Sequence, residues 1–225
     1  MSETWSRVDG YIDACTGSND DALANALRTA AEAGMPAINV APNQGKFLHL
    51  LAKGIQANRI LEIGTLAGYS TIWLARALPD GGSLVTLEFD PMHAEVAAAN
   101  LEYAGLADVV QVRQGAAIDH LPGLAAEGLV FDFVFIDADK RSVPEYFEWA
   151  IRLTRPGGMI IVDNVVRGGA ILDESTEDPD VQGIRRFFDA VSNDKRVSVT
   201  AIQTVGGKSY DGFALALVNS VESSE

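Results

Sequence analysis

The chain has 225 residues, with 31 acids against 17 lysines and arginines for a net charge of −14, and 48% of its residues are hydrophobic. That length fits one large domain with a substantial core, and the charge repels nucleic acid and anionic membranes at long range, so neither is expected as a partner. A lone Cys15 excludes an intrachain disulfide, no cysteine–histidine spacing suits zinc, and the start Met1-Ser2-Glu3-Thr4-Trp5 is neither basic nor apolar, so a cytoplasmic protein is expected.

Before Ile60 the pattern reads as helices, one near 20–33 closed by Gly34 and another near 45–55. Ala37-Ile38-Asn39-Val40-Ala41-Pro42 between them is extended, since Pro42 disfavours helix in the residue before it. This segment is expected to cap a ligand site or form a subunit contact, and residues 1–57 stand as a helical cap on an α/β core of 58–225. The stretch from Asn58 to Thr71 then reads as a buried strand, a glycine turn and a helix start. Gly64 and Gly68 let backbone approach a ligand, and the helix start offers free N–H groups. A dinucleotide fingerprint needs glycine at 66 and 69, where Leu66 and Tyr69 stand, and no Gly-Lys-Ser/Thr closes a phosphate loop.

After the turn Pro79–Gly82, a strand is expected at 83–87, and Asp90 before Pro91 caps a helix over 91–103. Glu88, at that strand's end and about 20 residues past the glycine turn, is where an acid accepts from both hydroxyls of a ribose. A third strand is placed at 109–112, with Gly115-Ala116-Ala117 leading into a short helix. The fourth, 131–136, is apolar almost throughout, as a strand covered on both faces should be, and ends in Asp137-Ala138-Asp139-Lys140. A helix over 144–153, a turn at Arg155–Gly158 and a fifth strand over 159–162 follow, ending in Asp163-Asn164. An acidic loop is expected from 167 to 182, a helix over 184–192, and an antiparallel hairpin of 197–205 and 213–218 joined through Gly206-Gly207. Repeated βα units closed by an antiparallel pair give a doubly wound α/β sheet.

Ligands of such a sheet lie beyond the carboxyl ends of its strands, where Glu62–Gly68, Glu88, Asp137–Lys140 and Asp163-Asn164 all fall. Asp137 and the Asp163-Asn164 pair follow successive strands, so three oxygen donors can meet, which suits a hard divalent cation, most simply Mg²⁺. His49, His93 and His120 form no rival constellation and are expected to be structural or exposed.

Together, Ile38-Asn39-Val40, Glu62-Ile-Gly64-Thr-Leu-Ala-Gly68-Tyr-Ser70, Glu88, Gly115-Ala116, Asp137-Ala-Asp-Lys140, Arg155-Pro-Gly-Gly158, Asp163-Asn164-Val165 and Arg167-Gly168-Gly169 resemble the metal-dependent O-methyltransferases, the catechol and caffeoyl-CoA type, with the bacterial members most alike. The resemblance implies a Rossmann-like, mostly parallel seven-stranded sheet with a C-terminal antiparallel hairpin and extra N-terminal helices. It implies that Val40, Glu62, Gly64, Thr65, Ser70, Glu88, Ala116 and Asp137 surround S-adenosylmethionine, with Asp139 in support. It further implies that Asp137, Asp163 and Asn164 hold the cation, that Lys140 is the base, and that the protein is a homodimer. Two departures matter. Ala117-Ile118 replaces a polar pair of catechol O-methyltransferase, leaving adenine to packing and backbone, and the acidic run from Asp173 to Asp180 argues against a CoA ester. The expected activity is methyl transfer to one hydroxyl of a small vicinal diphenol. The alternatives are a same-fold methyltransferase acting on another nucleophile without a catalytic metal, a noncatalytic cofactor-binding protein and, disfavoured by Leu66 and Tyr69, a dinucleotide oxidoreductase.

Overall fold

The computed structural model describes residues 2–17 and 20–220. Three helices come first: α1 (Ser2–Thr16), α2 (Asp21–Glu32) and α3 (Pro42–Gly54). The alternating part follows as β1 (Arg59–Ile63), α4 (Tyr69–Ala75), β2 (Ser83–Glu88), α5 (Pro91–Tyr103), β3 (Val110–Gln114), α6 (Ala117–Ala126), β4 (Phe131–Ile136), α7 (Val143–Leu153) and β5 (Thr154–Asp163). α8 (Pro179–Val191), β6 (Val197–Gly206) and β7 (Ser209–Val218) complete the chain.

The strands form one sheet of order β3-β2-β1-β4-β5-β7-β6, parallel through β5, with β7 running antiparallel between β5 and β6. Alternate residues of each strand face opposite sides, and both sides are covered. Leu61, Ile63, Val134 and Ile136 pack with Leu121, Leu124, Phe147, Ile184 and Phe187 on one face. Ile60, Phe133, Phe135 and Ile161 pack with Leu48, Ile72, Trp73 and Leu101 on the other.

Several boundaries differ from expectation for local reasons. α1 was not foreseen, although Trp5, Val8, Ile12 and Cys15 recur at helical spacing; it is held by packing on β6 and α3 and by Asp9, which accepts from Asn43 Nδ2 at 3.0 Å and Gly207 N at 2.8 Å. α2 and α3 belong to the core, contributing Leu23, Ala26, Leu48 and Ala52 to one face. Pro42 opens α3 as its first residue. The expected turn at Arg155–Gly158 is a distortion within β5, with Gly157 at φ +75° and a register shift opposite Phe131–Phe133. α8 starts five residues before the expected position, because Asp178 caps it, accepting from Asp180 N at 2.8 Å, and Pro179 is its first residue. The β6–β7 hairpin pairs up to Gly206 with Ser209, leaving Gly207-Lys208 as the turn.

Candidate active site

The strand ends of β1, β2, β4 and β5 open into a cavity of about 780 Å³. Gly64 shows why glycine stands at the end of β1: its φ is +99°, and a Cβ there would lie 2.2 Å from the carbonyl oxygen of Asp137. Its N–H bonds Leu87 O at 3.0 Å while Asp137 N bonds Ile63 O at 2.8 Å, so three strand ends are drawn together at this point.

Glu88 lines the cavity and also braces the cradle. Its Oε2 accepts from Thr65 N at 3.1 Å and Leu66 N at 2.8 Å, and its Oε1 accepts from Asp90 N at 2.9 Å. Leu66 is thereby held at φ +52°, a conformation uncommon for a side-chain-bearing residue. Asn100 on α5 donates to Ala67 O at 2.9 Å and accepts from Asn25 and Thr29 of α2, tying the cradle to the N-terminal helices.

Of the residues expected around the cofactor, Val40, Gly64, Thr65, Ser70, Glu88, Ala116 and Asp137 all line this cavity. Glu62 does not. It is completely buried, and its oxygens accept from Ser70 Oγ at 2.6 Å, Thr71 Oγ1 at 2.5 Å and Thr86 Oγ1 at 2.7 Å, so it orients the Ser70 hydroxyl from within. Burial pushes its carboxyl up to about 7, against the pull of the three hydroxyls. Asp139 lines the cavity, yet its oxygens receive Ser142 Oγ at 2.5 Å and Tyr146 OH at 2.7 Å, an arrangement that fixes the start of α7. Phe89, Ala117 and Ile118 give the far end an apolar wall.

At the other end, Lys140 is buried and its Nζ donates to Asp137 Oδ1 at 2.7 Å and Ala138 O at 2.9 Å. Asp163 is buried outside the lining, accepting from Asn164 N at 2.8 Å and from Gln44 Nε2 at 2.8 Å. Burial first, and then the charge of Asp137, push its carboxyl well above the usual carboxylate range. Asn164 lines the cavity at φ +56°. Among the described residues no three His, Cys, Asp or Glu side chains gather as a metal centre. The expected set brings two carboxylates close enough to feel each other's charge, plus one amide, and those oxygen donors fit a hard divalent cation.

Three contributors escaped the sequence reading. Gln44, on α3, reaches Asp163 across 119 residues of sequence, and no local signal marks it. Gly183, inside α8, allows that helix to lie against the Lys140 backbone, since a Cβ there would meet Lys140 O at 2.2 Å. His93 lines the cavity with Nδ1 3.6 Å from Glu88 Oε1; its place just after the Asp90 cap, close to the acid, was the available clue. His49 and His120 bond backbone carbonyls, as structural histidines do.

The sheet order, with its glycine turn after β1 and an acid ending β2, is that of a Rossmann-like methyltransferase fold. A profile of the O-methyltransferase family matches residues 14–217, and the chain belongs to that family, whose members depend on S-adenosylmethionine. It is 56% identical to a catechol O-methyltransferase of Niastella koreensis over 96% of this chain and 99% of that one. It is 54% identical to a catechol O-methyltransferase of Mycobacterium tuberculosis over 94% of each. The crystal structure of the O-methyltransferase from Bacillus cereus in complex with SAH superposes with a TM-score of 0.96 at 53% identity, covering 97% of this chain and all of the other.

Proposed function

We propose that the protein transfers the methyl group of S-adenosylmethionine to one hydroxyl of a small vicinal diphenol, with a divalent cation held by Asp137, Asp163 and Asn164. The observation that carries this reading is the meeting of Asp137, Lys140 and Asn164 on the wall of the cavity that the cradle also lines. The names of the two catechol O-methyltransferase relatives support the acceptor class.

Glu88 receives the ribose hydroxyls, Gly64 and Thr65 admit the donor close to backbone, and Ser70, oriented by Glu62, supplies a hydroxyl to it. Val40 and Ala116 close on it by packing. When bound, the cation acts as a Lewis acid that makes a chelating hydroxyl easier to deprotonate. Lys140, whose Nζ lies against Asp137 and Ala138 beside the donor set, takes that proton in its neutral amine form, becoming the ammonium. The hydroxyl oxygen bonds to the methyl carbon as the carbon–sulfur bond breaks, and the sulfonium leaves as a thioether. The protein's main contribution is to hold donor and oxygen in line.

One observation favours a metal-independent version: Lys140 already neutralises Asp137 at 2.7 Å. Labelled methyl donor, a catechol panel and a metal series, compared across wild type, Asp137→Ala and Lys140→Ala, separate the two. Asp137→Ala is expected to abolish turnover and metal dependence together; wild-type turnover that survives EDTA overturns the chelate mechanism. We also infer a homodimer, checked by light scattering.

A further inference from the structure

Three cations line the cavity, and two of them are neutralised. Lys140 sits on Asp137 at 2.7 Å, and Arg141 faces Asp180 at 3.5 Å. The third, Arg167, has neither an ion pair nor a side-chain hydrogen bond among the described residues, although it is half-buried in a chain with 31 acids against 17 bases. A guanidinium on a cavity wall with no acid beside it has its donors free for an anionic ligand group, to which it makes charge-assisted hydrogen bonds.

The backbone holds this arginine in place. Arg167 has φ +55°, and its N–H, with those of Val166 and Gly212, donates to Asp211 Oδ1 at 2.9, 3.0 and 2.9 Å. It follows β5, three strands from Glu88 at the end of β2 in the order β2-β1-β4-β5, which is roughly 14 Å at the usual strand spacing. With the donor placed between Glu88 and the Gly64–Ser70 cradle, as proposed above, Arg167 falls at the acceptor end, beyond Asn164.

We propose that Arg167 is a specificity-determining residue that binds a carboxylate on the acceptor, making an acid-bearing vicinal diphenol the preferred substrate. This rests on the diphenol reading above. The planar guanidinium matches both oxygens of a carboxylate. Asp180, also on the cavity wall, and the acidic run that precedes it disfavour a multiply charged phosphate in the same place. The net charge of −14 does not bar a singly charged acid, because at physiological salt its field is screened beyond about 8 Å.

The test compares 3,4-dihydroxybenzoate with the neutral 4-methylcatechol in wild type, Arg167→Met and Arg167→Lys, alongside calorimetric binding of S-adenosylhomocysteine. Met keeps the apolar stem and is no more strained at φ +55° than Arg, and near-wild-type S-adenosylhomocysteine affinity shows that the variant is folded. Wild type should favour the acid, and Arg167→Met should lower the acid-over-neutral ratio of kcat/KM roughly ten- to a hundredfold, carried by KM, with Lys restoring part of it. An unchanged ratio overturns the assignment, as does S-adenosylhomocysteine affinity falling by the same factor, which would place the donor's own carboxylate on Arg167. Wild-type turnover of the neutral catechol without preference for the acid defeats this proposal and leaves the diphenol reading intact. No turnover of either substrate refutes the diphenol reading itself, and the assignment with it.

Discussion

Replacing Glu62 by glutamine removes one ionisable proton from the middle of the core, and the structure sets how stability should respond to pH. A glutamate in an unfolded chain ionises near 4.5, whereas burial pushes this one up to about 7. Between those values the native protein keeps a proton that the unfolded chain has released. Stability from this group is therefore fully present below about pH 4.5, falls as pH rises and levels off above about 7. At about 1.36 kcal/mol per pH unit the loss is roughly 3 kcal/mol. The Glu62→Gln side chain keeps the shape and still bonds the Ser70, Thr71 and Thr86 hydroxyls, which can accept as well as donate, but it has no proton to lose. Urea unfolding of both proteins at pH 5, 6, 7 and 8, in EDTA and with matched m-values, measures the difference. The variant should gain on wild type by up to about 3 kcal/mol across that range. A gap that stays constant, or that turns against the variant as pH rises, would show the carboxylate held ionised by its three donors and refute the argument.

Gly64→Ala should lose roughly 2–4 kcal/mol of stability, read as a lower urea midpoint, and S-adenosylhomocysteine binding with it, because the added methyl meets the Asp137 carbonyl at 2.2 Å and φ is +99°. Gly183→Ala should cost about 1–3 kcal/mol by overpacking α8 against the Lys140 turn, and its turnover should fall further than its donor affinity; equal losses in both would count against a link from α8 to Lys140.

Where local chemistry and burial agree, the elements were legible. Phe131–Ile136 was placed to the residue, because a strand covered on both faces is a short apolar run between turns, and the Asp90-Pro91 cap was read from two side chains. The same Asp-Pro signal at Asp178-Pro179 was overlooked because the surrounding acids suggested a loop. α1 carries only a thin apolar stripe, Trp5, Val8, Ile12 and Cys15, of which Val8 and Ile12 stay partly exposed, so its contacts with β6 and α3 are what fix it in place.

From the sequence alone came the class of fold, the glycine cradle, Glu88 and the two acidic strand ends, since each depends on residues close together in the chain and on the rule that strand ends share an edge. Only the tertiary structure decided which of those side chains face the cavity and which stand behind it. Glu62 braces Ser70 from the core, Gln44 reaches Asp163 from α3, and Arg167 is left without an acid among the described residues. The Gln44–Asp163 bond spans 119 residues of sequence, and Glu62 is also held by Thr86, 24 residues on. Burial and pairing, which raise a carboxyl or leave a guanidinium without an acid beside it, exist only once the sheet has brought those segments together.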